Sequence, residues 1–318
     1  MVRSFLKDTD FTPAEAREVF ALAARYKATR SAGVIDVLKS QSWGVLFYKK
    51  STRTRLSFEA GLYELGGHPM VMNANDLQIS RGETIEDTAR IMGRFLHGLV
   101  IRTFGQDIVE KFAKYSGIPV VNALTDLLHP CQSYTDMFTM SELFSDGAPN
   151  CESLKGKKFV FFGDTACNMA YSLALAGAMF GVEVVLCGPD EFKPEPVLNK
   201  LFKDAGLTPT WSFTSDPEAA AKKANVLYTD VWVSMGKEDE KAERIKTMSP
   251  YQVNEKLFKF ADKNALFMHC LPAHAGDEVS QEVLDSPRSV IFDQAENRLH
   301  VQKAIVSYLV QKNNELRK

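Results

Sequence analysis

Ser51-Thr52-Arg53-Thr54-Arg55 follows the apolar run Gly44-Val45-Leu46-Phe47-Tyr48 and leads into a helical pattern. The apolar run is short and bounded, which predicts a buried strand. The pattern after it predicts a helix over Thr54 to Leu65, with Phe58, Leu62 and Leu65 on one face at spacings of four and three. Gly66-Gly67 ends that helix. Strand, turn and helix in this order form the repeating unit of an α/β fold with parallel strands.

The same alternation extends in both directions. Thr12-Pro13 starts a helix that runs to about Lys27. Met70 to Met72, Leu99 to Arg102 and Pro119 to Val121 read as strands, and Ile85 to Leu96 and Gln106 to Tyr115 as helices. A connecting helix is expected at Gln132 to Phe144, followed by the turn-rich Asp146-Gly-Ala-Pro-Asn150 and Leu154-Lys-Gly-Lys-Lys158. The alternation then restarts. Phe159 to Phe162, Val182 to Leu186, Val226 to Tyr228, Leu266 to Met268 and Val290 to Phe292 are expected strands, with a helix over Met169 to Phe180. Val301 to Lys318 is amphipathic and helical in pattern. The expected architecture is two α/β domains, each a mainly parallel sheet flanked by helices, joined by connecting helices. The boundaries drawn are 1–145, 146–300 and a C-terminal helix at 301–318 that packs back on the first domain.

A length of 318 residues suits two domains. Hydrophobic content of 45% and charged content of 25% are those of a globular protein. A net charge of −2 gives no basic surface for nucleic acid, while leaving room for a few arginines focused on a small anion. Cys131, Cys151, Cys167, Cys187 and Cys270 are odd in number and form no C-x-x-C pair, so a disulfide framework or structural zinc is not expected. That usage fits a reducing, cytoplasmic setting. No apolar run approaches the ~20 residues of a membrane helix, and Met1 to Asp10 has no signal-peptide core.

Backbone N–H groups at a helix start are unpaired and point outward, and the helix dipole adds partial positive charge there. Ser51, Thr52 and Thr54 add hydroxyl donors, and Arg53 adds a guanidinium that grips two phosphate oxygens at once. This is a phosphate cradle without the glycines of a P-loop. Alone, the stretch reads equally well as a capping serine followed by two solvated arginines. Two further motifs tip the balance. In His129-Pro130-Cys131-Gln132, a neutral histidine can donate to a carbonyl oxygen, and a glutamine can accept from an NH2 group. Arg102 stands at the end of a strand-like run.

Ser-Thr-Arg-Thr-Arg, Arg102, His-Pro-Cys-Gln and His269-Cys270-Leu271-Pro272 occur in the order and approximate spacing of the transcarbamylases. The chain resembles that family, and within it the ornithine carbamoyltransferases, along essentially its whole length. The resemblance implies transfer of the carbamoyl group of carbamoyl phosphate to the δ-amine of L-ornithine, with carbamoyl phosphate on the first domain and the amino acid on the second. It assigns Ser51, Thr52, Arg53 and Thr54 to the phosphate, and Arg102, His129 and Gln132 to the carbamoyl end. It assigns Gln78 to a loop reaching a neighbouring subunit's site, and so implies a homotrimer, or a multiple of trimers, with shared sites. It implies no metal and no organic cofactor.

Gly163-Asp164-Thr165-Ala166-Cys167-Asn168 follows a strand and precedes a helix, but lacks the G-x-G-x-x-G fingerprint of a dinucleotide site. The resemblance places Asn168 on the substrate α-carboxylate. Asp230 can pair with an α-ammonium, Ser234 can bond the same headgroup, and Gly236 lets the chain bend. Ser234-Met235-Gly236 is similar to the ornithine loop of the family, and no arginine-containing counterpart for aspartate is found. Cys270 could be a nucleophile, but the resemblance gives Cys270 and the Leu271 carbonyl contacts to the attacking amine and the carbamoyl group. Arg298 matches a family arginine near the carbamoyl oxygen. Arg102, His129, Cys270 and Arg298 are therefore the expected catalytic set. Ala275 stands where many relatives have a basic residue. His68, His97 and His300 have no motif context and read as structural. The competing readings are a transcarbamylase for another amine and an inactive paralogue that binds the substrates.

Overall fold

A computed structural model describes residues 2–145, 148–194, 196–233 and 241–317. Two compact units emerge, one of residues 1–138 and 296–318, the other of residues 139–295.

In the first unit, four parallel strands lie in the order β2-β1-β3-β4: β1 (Ser42–Phe47), β2 (His68–Asn73), β3 (Gly98–Arg102) and β4 (Val120–Leu124). The helices are α1 (Pro13–Ala28), α2 (Thr52–Glu64), α3 (Ile85–Phe95) and α4 (Gln106–Ser116), with α5 (Pro130–Leu143) beginning here and ending in the second unit. Strands β1 and β3 are almost wholly buried because helices cover both sheet faces, so their sequences are continuously apolar. Edge strand β2 alternates in exposure instead. Leu46, Leu99 and Ile101 pack with Val109 and Phe112 of α4. A Cβ on Gly98 would come within 2.4 Å of the buried Trp43 ring, so the indole requires glycine beside it. Thr12 and Glu15 form a reciprocal cap at the start of α1.

In the second unit, five parallel strands run β7-β6-β5-β8-β9: β5 (Lys158–Phe162), β6 (Glu183–Cys187), β7 (Trp211–Thr214), β8 (Val226–Thr229) and β9 (Leu266–His269). Between them come α6 (Asn168–Phe180), α7 (Val197–Ala205), α8 (Pro217–Ala221), α9 (Lys241–Met248) and α10 (Glu255–Phe258), and α11 (Gln281–Leu284) follows β9. Almost every residue of α6 is buried, which explains its nearly unbroken apolar sequence. The final helix, α12 (Ile291–Glu315), carries the chain back to the first unit, as α5 carries it out.

One expected strand is corrected. Val290 to Phe292 is not a strand; Ser289 makes an isolated bridge to Phe267 and α12 begins at Ile291. Strand β7 and helix α7 were not predicted.

Candidate active site

Each sheet reverses its order at a point of its own, and several residues singled out in the sequence follow the strands that flank these points. In the first unit β1 continues to β2 on one side, while β3 lies on its other side, paired Phe47 to Arg102. Ligands of open α/β sheets bind outside the carboxyl ends of strands at such a switch point. Ser51 to Thr54 follow β1, Arg102 ends β3, and His129 and Gln132 follow β4.

Ser51 caps α2: it is extended, and its hydroxyl accepts the Thr54 N–H at 3.3 Å. The Ser51 hydroxyl also donates to the Thr54 hydroxyl at 3.0 Å. Arg298, from α12, donates through Nη2 to that same Thr54 hydroxyl at 3.2 Å. Thr54, Arg102, His129, Gln132 and Arg298 are buried, while Arg53 is half-buried and Thr52 exposed. Burial first, and then the positive charges of Arg298 and Arg102, hold the His129 ring well below its ordinary pKa. The ring is therefore neutral and has one N–H to donate.

Gln132 is oriented by a residue the sequence did not flag. Its Nε2 donates to buried Asp136 at 2.7 Å, one helical turn along α5. A carboxylate only accepts, so the amide oxygen must face away from it. That Oε1 is buried and has no hydrogen-bond partner among the described residues. A buried orphan acceptor is costly unless something fills it, and an NH2 group would. Cys131 between these residues donates to the Asn122 carbonyl at 3.3 Å, and burial pushes its thiol up to about 12. It is structural. Gln78 lies exposed at the start of the 3-10 turn Gln78–Arg81.

In the second unit β5 runs on to β6 and β7 on one side and is flanked by β8 and β9 on the other. The switch point is between β5 and β8, with Phe162 beside Thr229 and Thr229 beside His269. Asn168 opens α6 after β5, Asp230 follows β8, and Cys270 and Leu271 follow β9. The Cys270 thiol donates to Asp230 Oδ1 at 3.0 Å, and the Val231 N–H donates to the same oxygen at 2.7 Å. Asp230 is thus fixed through Oδ1 by its neighbours. Ser234 and Met235 lie outside the described residues.

Asp230, His269 and Cys270 each offer a ligand-type atom within 4.8 Å of the others. Those atoms are engaged in hydrogen bonds: the thiol to Asp230, and His269 Nδ1 to the Leu271 N–H. The thiol, Asp230 Oδ1 and His269 Nδ1 are thus occupied within the turn, while His269 Nε2 is buried with no hydrogen-bond partner among the described residues. Arg244, buried, ties this region together, pairing with Asp164, donating to the Trp232 carbonyl at 2.7 Å and lying over the Phe192 ring. Nothing in the sequence marks Arg244, which ends the charge-rich stretch Lys237 to Arg244.

Comparison with known proteins matches both units. Residues 3–142 match the description "Aspartate/ornithine carbamoyltransferase, carbamoyl-P binding domain". Residues 155–309 match "Aspartate/ornithine carbamoyltransferase, Asp/Orn binding domain". The chain is 42% identical to the ornithine carbamoyltransferase of Methanoculleus marisnigri over 98% of its own length and 97% of that protein's. It is 45% identical to that of Oceanobacillus iheyensis, covering 97% and 94%. Among solved structures, the ornithine carbamoyltransferase from Pyrococcus furiosus superposes with a TM-score of 0.87 at 41% identity, covering 96% of each chain.

Proposed function

The chain belongs to the aspartate/ornithine carbamoyltransferase family, and from that premise we propose that it transfers the carbamoyl group of carbamoyl phosphate to the δ-amine of L-ornithine. The products are L-citrulline and phosphate, within arginine metabolism. The observation that carries this reading is the pairing of chemistries at the two switch points. One presents anion donors and an orphan carbamoyl-type acceptor; the other presents a fixed carboxylate for an amino acid headgroup.

In this mechanism Arg53, the start of α2 and the Ser51, Thr52 and Thr54 hydroxyls take the phosphate. Gln132 Oε1 accepts from the carbamoyl NH2, and Arg102, neutral His129 and Arg298 donate to the carbamoyl oxygen. Asp230 and Asn168 take the α-ammonium and α-carboxylate of ornithine, with Ser234 and Met235 completing the headgroup contacts. A free alkyl amine has a pKa of about 10.4, so the δ-amine must shed a proton before attack. The nitrogen lone pair forms the new N–C bond beside Cys270 and the Leu271 carbonyl, and the carbamoyl π electrons move onto oxygen. Arg102, His129, Thr54 and Arg298 stabilise that oxyanion as preorganised donors. Collapse re-forms the carbonyl and breaks the C–O bond to phosphate, which leaves with the amine's proton.

A homotrimer with Gln78 serving a neighbouring subunit is part of the proposal. It is supported by apolar side chains left exposed on the first unit: Leu56 and Tyr63 on α2, Met70 on β2, and Ile91 and Phe95 on α3. A cytoplasmic setting suits the free thiols of Cys131, Cys151, Cys167, Cys187 and Cys270. No helix among the described residues is long and apolar enough to cross a membrane.

The test offers carbamoyl phosphate with ornithine, acetylornithine, putrescine or aspartate, and follows carbamoylated product together with the solution mass. Citrulline from a species of three chains or a multiple is expected. Faster turnover of another acceptor would reassign the substrate, and no turnover with any would mark an inactive paralogue.

A further inference from the structure

Glu278 is buried and has no part in the machinery above, yet it sits behind the segment that carries Cys270 and Leu271. The link runs through His269. The Nδ1 of its ring accepts the Leu271 N–H at 2.8 Å. A ring nitrogen that accepts carries no proton, so the proton of the neutral ring sits on Nε2. That nitrogen lies 3.3 Å from Glu278 Oε1, within ion-pair range but outside hydrogen-bond geometry, and the side chains of both residues are buried, so the carboxylate acts on the N–H as a close buried charge. The same Oε1 accepts the His274 N–H at 2.6 Å. The backbone N–H of His269 is itself held by Gln294 Oε1 at 2.9 Å.

This chain of contacts ends on an unusual backbone. Leu271 has φ +60°, a left-handed conformation that L side chains rarely adopt. Something must hold it, and the His269 ring supplies the acceptor that does. Were the ring doubly protonated, or its proton moved to Nδ1, the Leu271 N–H would face another donor. A buried carboxylate at Nε2 disfavours the second arrangement, because it would then face a bare nitrogen.

We propose that Glu278 and His269 are positioning residues for the acceptor amine. Glu278 holds the proton on His269 Nε2, and the freed Nδ1 fixes the Leu271 amide so that Cys270 and the Leu271 carbonyl meet the attacking nitrogen. This rests on the assignment of Cys270 and Leu271 to the amine.

Steady-state kinetics of the intact protein test it with His269→Ala, His269→Asn and Glu278→Gln. An asparagine oxygen can stand near the place of Nδ1 and accept from Leu271; alanine cannot. His269→Ala is expected to lose about 100-fold in kcat/KM for ornithine, the scale of a misplaced reacting group, with the KM for carbamoyl phosphate unchanged. His269→Asn is expected to recover most of that loss. Glu278→Gln is expected to cost roughly 10-fold on the ornithine side alone, as outer-shell partners do. Equal defects in the alanine and asparagine variants, or losses shared with carbamoyl phosphate, overturn the proposal. If His269→Ala does not fold, unchanged ornithine kinetics in Glu278→Gln overturn it. A wild-type protein that makes no citrulline refutes the functional reading instead. The 15N shifts of the His269 ring then decide the positioning claim, which a proton on Nδ1 would sink.

Discussion

His129 shows how one residue's surroundings set its chemistry. Burial and two nearby guanidinium groups keep it neutral, which suits donation to a developing oxyanion but strains the fold in acid. Its folded pKa lies well below its ordinary 6.5. Below that value the unfolded chain takes up a proton at His129 that the native chain does not, so stability falls as pH drops. Between about pH 7.5 and 5.5 the loss from this group approaches ~1.4 kcal/mol. Urea unfolding of the wild type and of His129→Gln at both pH values should show the wild type losing that much more. Equal losses would mean that the ring is not held neutral. Gln132 is a second case: Asp136 turns an ambivalent amide into an acceptor. The sequence showed the glutamine as a residue able to do either, because only the fold reveals which partner occupies one end.

At the scale of elements, the β1 strand and the α2 start were legible because burial and capping leave local signatures. The continuous apolar run, the capping serine and the four-three spacing all appear in the structure. Val290 to Phe292 misled for an equally physical reason. An apolar triplet has no period, so it cannot separate a strand from the first turn of a helix. Helix α12 also hid its first half, since Gln294, Asn297, Arg298 and His300 are buried polar residues. A helix that turns polar groups inward shows no apolar stripe. Strand β7 is a half-exposed edge, so no buried run marks it. The packing of β1 against β3 yields an element-scale prediction. Gly98→Ala puts a methyl group 2.4 Å from the Trp43 ring, and overpacking of this kind costs about 1–3 kcal/mol. Thermal melts should show a lower Tm for this variant, with the kcat of the folded enzyme retained. An unchanged Tm would mean that the indole moves aside easily.

At the scale of the whole molecule, two sheets of parallel strands each have a switch point at their carboxyl ends, and in the proposed mechanism each carries one half of the chemistry. The fold class was readable from the alternation of strands and helices, and the motifs expected to form the site lie mostly at strand ends, where sequence and topology coincide. Glu278, Asp136 and Arg244 carry no motif of their own, and only the fold shows which side chains they meet. The division of labour between the units is the central claim, and the kinetics of Arg53→Ala and Asp230→Asn measured side by side test it most directly. Arg53→Ala should sharply raise the KM for carbamoyl phosphate and lower turnover, while Asp230→Asn should raise the KM for ornithine and leave that for carbamoyl phosphate near wild type. Near-normal activity in Arg53→Ala, or the same substrate affected by both changes, would contradict the account.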